Sequence, residues 1–82
     1  MILTVELSMY PLQEGYRDLV TDFIRELNTK PGLHCSTSAT STQIVGEYDV
    51  VMRVLTELFA WSNATQGRAV FVAKFIPDYD AT

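Results

Sequence analysis

The side chains best suited to contact a ligand are short and uncharged: the hydroxyls of Ser8, Thr37, Ser41 and Thr42 and the amide of Gln43, with the carboxylate of Glu6 two residues before Ser8. Hydroxyls and a primary amide both donate and accept hydrogen bonds, so the set suits recognition of a polar molecule, and Glu6 adds a partner for positive charge. It does not suit covalent or acid–base catalysis, which needs a nucleophile, acid or base held by an orienting group. His34 and Cys35 are adjacent, but neighbouring strand residues point to opposite faces, so the two cannot share a proton directly. Cys35 is read as a core residue. As the single cysteine it permits no internal disulfide, and it has no metal-ligand spacing with the single histidine beside it. The chain is therefore expected to be no enzyme and to carry no metal or other cofactor.

Gathering residues from positions 6 to 43 requires a fold with long-range pairing. Leu3, Val5, Leu7 and Met9 alternate with Thr4, Glu6 and Ser8, which predicts a strand that stops at Pro11, with Tyr10 still extended. Tyr16, Leu19, Val20, Phe23, Ile24 and Leu27 recur at helical spacing, with Arg17, Asp18, Asp22, Arg25 and Glu26 facing water. Asn28 to Gly32 is turn chemistry, and Leu33 to Thr37 reads as a short second strand. Ser41 to Val45 is expected to be the third strand, ended by a turn at Gly46, with Glu47 and Asp49 at the start of the next helix. That helix carries Val50, Val51, Val54, Leu55, Leu58, Phe59 and Ser62 on one stripe and stops near Gly67. Trp61 lies off the stripe and is assigned either to solvent or to a contact between chains. Arg68 to Ile76 is the last strand, and 78–82 is a short polar tail too small to add to the core.

Strand, helix, strand, strand, helix, strand is the split βαβ arrangement, an α+β ferredoxin-like sandwich occupying residues 1–77 as one domain. Right-handed crossovers give an antiparallel sheet in the order 4-1-3-2 with both helices on one face. On the uncovered face Thr4, Glu6 and Ser8 meet Val70, Val72, Lys74 and Ile76, with Glu6 beside Lys74. Gln43 joins them if Ile44 points to the core. Ser8, Thr37 and Thr42 are expected to collect at one end of the sheet as a pocket. An apolar face of this kind marks a partner surface, so self-association through it is expected.

Eighty-two residues, of which 48% are hydrophobic, make one small domain that gains from such self-association. No apolar run approaches the roughly 20 residues that span a bilayer, and no basic N-terminal region suggests a signal peptide, so a cytoplasmic protein without membrane contact is expected. The net charge of −4 argues against nucleic acid as partner and favours a small cation.

Glu6–Leu12, Ser41–Asp49 and Ala69–Phe75 resemble, in order and over nearly the whole chain, the YkoF-like thiamine and hydroxymethylpyrimidine-binding family of small single-domain proteins. Some relatives have Gly-Thr where this chain has Ser41-Thr42, and others carry two tandem repeats. The resemblance implies a ferredoxin-like domain assembled face to face, commonly as a tetramer (a dimer of dimers), that binds thiamine or its pyrimidine moiety without chemistry. The ligand-binding set under this reading is Glu6, Ser8, Thr37, Ser41, Thr42 and Gln43, with Gln43 matching an aminopyrimidine edge and Glu6 near the positive charge. No Gly-rich loop or basic cluster awaits a diphosphate, so thiamine diphosphate is expected to bind no better than thiamine. The alternatives are an oligomeric regulatory or structural module without such a ligand, and a small cofactorless enzyme on the same fold.

Overall fold

Alternation in the first strand decides how the layers form. In a computed structural model describing residues 1–82, Leu3, Val5 and Leu7 are almost fully buried beneath the helices while Glu6, between two of them, is exposed. The elements run β1 (Ile2–Pro11), α1 (Tyr16–Leu27), β2 (Leu33–Thr37), β3 (Thr42–Glu47), α2 (Tyr48–Gln66) and β4 (Ala69–Pro77). The sheet is ordered β2-β3-β1-β4 with every neighbouring pair antiparallel, the 4-1-3-2 order read from the other edge. Both helices cover one face. Their Phe23, Leu27, Val51, Val54, Leu55 and Leu58 close on Leu3, Val5, Leu7 and Ile44 to form the core. No helix is long and apolar enough to cross a membrane.

β1 stops with Pro11 as its last residue, as expected, and three other local expectations are corrected. Leu12 N–H donates to Arg68 C=O, so the ladder to β4 alternates in a way that turns the Pro11 nitrogen toward the opposite side, where β3 has already ended at the Leu7–Thr42 pair. The missing N–H therefore costs no ladder bond. Gly46 is not a turn: it lies inside β3, paired with both Leu3 and Leu33. A Cβ there would meet Leu33 Cδ2 at 2.8 Å, Gly32 O at 3.1 Å and Val51 Cγ2 at 3.2 Å, so a hydrogen is needed for close packing.

Trp61 is not left to solvent. It is half-buried against the core cluster, beside Leu19 and Gln66 in the seam between the helices. Gln66 closes that seam: its Nε2 donates to Leu19 C=O at 2.7 Å, and its Oε1 accepts from the buried Ser62 hydroxyl at 2.8 Å.

The remaining correction concerns the open face, which is partly covered. Asp78 takes a positive φ of 58° and turns the chain back, so that residues 79–81 cross Thr4. The Thr4 hydroxyl donates to Tyr79 C=O at 2.6 Å and accepts from Ala81 N–H at 3.2 Å, and Tyr79 N–H reaches Ile2 C=O at 3.2 Å. Thr4 and its cross-strand neighbour Val45 are consequently buried although both lie on the face away from the helices. Further along that face Val70, Val72 and Ile76 stay exposed.

Candidate ligand-binding site

Antiparallel pairing sorts the polar residues by face. Leu7 points to the helices and stands opposite Thr42, which stands opposite Thr37, so these two threonines share the helix side of the sheet. Glu6 pairs with Gln43 in β3 and Lys74 in β4, and this trio occupies the other side. The expected binding set is thus divided. Thr37, Ser41 and Thr42 line a cavity of 720 Å³ between the N-terminal half of α1 and the β2–β3 loop, with Ser8 at its rim. Glu6 and Gln43 do not reach it.

The cavity exists because α1 leaves the sheet as it approaches its N-terminus. Of the six residues on its predicted stripe only Phe23 and Leu27 are buried, while Tyr16 is exposed and Val20 and Ile24 are half-covered. Val20, Phe23 and Ile24 form an apolar wall facing Leu7 and Met9. The opposite wall is hydroxyl-rich, from Thr37 through Ser38, Thr40 and Ser41 to Thr42.

These hydroxyls have different tasks. Ser38 Oγ accepts from the Thr40 and Ser41 amides at 3.3 Å each and donates to Ser41 C=O, which shapes the β2–β3 turn. Ser8 Oγ donates to Thr40 C=O at 3.1 Å and fastens that turn to β1, so its proton is already used. Thr37 and Thr42 share one hydrogen bond of 3.2 Å. Whichever donates, the other keeps an O–H proton with no acceptor in the protein, and Thr42 is only 7% exposed. With Thr37 donating, the unspent proton lies on the buried Thr42 and favours a ligand that brings an acceptor, whereas Thr37 itself is exposed. Ser41 Oγ makes no bond within the chain and is also free to contact a guest.

The open-face trio is organised differently. Lys74 Nζ lies 3.5 Å from Glu6 Oε1, with both side chains largely in solvent. Such a pair contributes little to stability, about 0–1 kcal/mol. His34 and Cys35 separate as their adjacency requires: His34 stands opposite Val45, and Cys35 opposite Ile44 in the core layer. Burial pushes the Cys35 thiol above its ordinary pKa, which opposes thiolate formation.

Sequence reasoning missed the contribution of α1. Arg17, Val20, Thr21 and Ile24 line the cavity, Arg17 while staying exposed to water as expected. The available signal was spacing: Arg17 and Thr21 are four apart on the shoulder of the apolar stripe, where two polar side chains stack along one side of a helix. A hydrogen bond donated to the neighbouring Tyr16 side chain holds the Arg17 guanidinium above its ordinary pKa.

The fold recurs in solved structures. The chain superposes with a TM-score of 0.85 on protein SP2199 of Streptococcus pneumoniae, at 21% identity over 96% of this chain and 89% of the other. With a protein of Thermotoga maritima provisionally assigned to thiamine biosynthesis or salvage the TM-score is 0.80, at 22% identity over 99% and 86% of the two chains. A DUF77 domain of unknown function from Bacillus cereus gives 0.78, at 19% identity over 100% and 83%. No family model and no curated protein matches the sequence. At these identities the likeness establishes a shared ferredoxin-like fold.

Proposed function

We propose that this protein binds thiamine or, more narrowly, its hydroxymethylpyrimidine moiety in the cavity between α1 and the β2–β3 loop, without transforming it. The observation that carries this reading is the Thr37–Thr42 pair, buried at Thr42, with one unspent donor at a cavity walled opposite by apolar side chains. Small-molecule sites are of this kind, about 300–1,000 Å³ and mainly apolar with a few placed polar groups, and the present volume falls inside that range. An aminopyrimidine offers ring nitrogens to the free hydroxyl proton and an exocyclic amine to the oxygen of Ser41. The name given to the Thermotoga neighbour and the sequence resemblance both point to the same ligand class. Calorimetric titration with hydroxymethylpyrimidine and with thiamine tests the reading. Saturable binding of either supports it, and no heat or protection at millimolar ligand removes it.

The active form is a homo-oligomer, a dimer of dimers, joined through the uncovered part of the sheet. Val70, Val72 and Ile76 are 45–53% exposed there and lie in register with Tyr10, Ser8 and Thr4. Val72→Glu would introduce like charges facing each other across such a contact. Light scattering is expected to show an assembled native protein and a smaller species for the variant; a native monomer at micromolar concentration contradicts the assembly.

A further inference from the structure

Of the six lysines and arginines, four face a carboxylate: Arg25 with Asp22, Lys30 with Glu26, Arg53 with Glu57 and Lys74 with Glu6. Arg17 and Arg68 have none. Arg17 lines the cavity, and no aspartate or glutamate does so, although the chain as a whole carries a net charge of −4. Glu14 and Asp18 stand close to Arg17 in sequence but neither lines the cavity nor pairs with it. The one charged side chain lining the cavity of this acidic protein is thus a cation, opposite to the small-cation preference that net charge suggested. Glu6, the only carboxylate among the expected binding residues, is on the far side of the sheet and paired with Lys74.

A second feature at the same mouth agrees with this sign. α1 is capped at its N-terminus by Gly15, which supplies no side-chain oxygen, and Gly15 C=O takes the Asp18 and Leu19 amides. The Tyr16 and Arg17 amides are left without an acceptor in the chain, next to the guanidinium. A planar guanidinium with nearby N–H groups recognises a compact oxyanion by charge-assisted hydrogen bonds. The opposite, neutral wall at Thr37, Ser41 and Thr42 is suited to a heterocycle.

Resting on the cavity reading above, we infer that the physiological ligand is a heterocycle bearing a phosphate monoester, with its ring at the Thr37–Thr42 pair and its phosphate at Arg17. Arg17 is then the specificity-determining residue. Thiamine, whose thiazolium is positive, gains nothing from it, whereas the phosphorylated pyrimidine does.

The test is titration of the full chain with hydroxymethylpyrimidine, its phosphate monoester, thiamine and inorganic phosphate, at low salt, for the native protein and for Arg17→Gln and Arg17→Lys. A charge-assisted contact predicts that the phosphate ester binds roughly tenfold or more tightly than the unphosphorylated pyrimidine. That advantage is expected to fall to about twofold or less in Arg17→Gln and to be partly kept in Arg17→Lys. Equal affinity for the two pyrimidines, or an advantage untouched by Arg17→Gln, overturns the inference and leaves the cavity as a site for neutral ligands. Tight binding of inorganic phosphate alone, with no gain from the ring, overturns the two-part arrangement. Absence of binding by every pyrimidine removes the cavity reading and the inference with it.

Discussion

The two ends of the central β1–β3 pair are built to opposite tolerances. At the Leu3–Gly46 end, packing is so close that a single added carbon on Gly46 would meet Leu33 of β2, Gly32 just before it and Val51 of α2 at 2.8–3.2 Å. At the Leu7–Thr42 end, four pairs along the same ladder, α1 stands off and leaves 720 Å³ between itself and the sheet. The helices differ accordingly: α2 buries Val51, Val54, Leu55, Leu58 and Ser62, whereas α1 buries only Phe23 and Leu27. One end therefore holds the domain together, and the other leaves apolar side chains and hydroxyl groups around open space.

Equivalent truncations at the two ends give the sharpest thermodynamic contrast. Leu58 is fully buried, and Leu58→Ala is expected to cost about 2–5 kcal/mol through lost transfer energy and the cavity left behind. Ile24 already borders open space, so Ile24→Ala is expected to cost about 1 kcal/mol or less, since little new cavity is created. Urea unfolding of both variants checks the pair. Equal losses would mean that α1 packs down in solution as tightly as α2 and that the cavity closes.

The packed end was more legible in sequence than the open one. Period-two alternation in β1 and helical spacing in α2 both arise from burial, and burial is what binary patterns record. Gly46 was misread because a lone glycine signals a turn and a close approach equally well; only the positions of Leu33 and Val51 distinguish them. The predicted stripe of α1 was helical but its burial was not, because spacing fixes the face of a helix and not its distance from the sheet. Residue type brings Thr37, Ser41 and Thr42 together, and all three line the cavity; it also groups Glu6 and Gln43 with them, because proximity at one end of a sheet does not say which side each residue faces. The parity of the ladder separates them: Leu7 fixes Thr42 on the helix side, and Glu6 fixes Gln43 on the other. The fold-back of residues 79–81 onto Thr4 had no periodic signal at all.

The claim that the helix-side cavity, and not the open face, is the binding site is tested most directly by paired substitutions in one titration series. Thr42→Val removes a buried hydroxyl from the cavity, and Gln43→Leu removes an amide on the other side, one residue away. With folding of each variant verified by its unfolding transition, hydroxymethylpyrimidine and its phosphate ester are titrated against both by calorimetry. Thr42→Val is expected to weaken binding by about 1–3 kcal/mol, the cost of losing a buried hydrogen bond, while Gln43→Leu stays within about twofold of the native protein. Loss of affinity in Gln43→Leu with Thr42→Val unchanged would contradict the account and place the ligand on the open face.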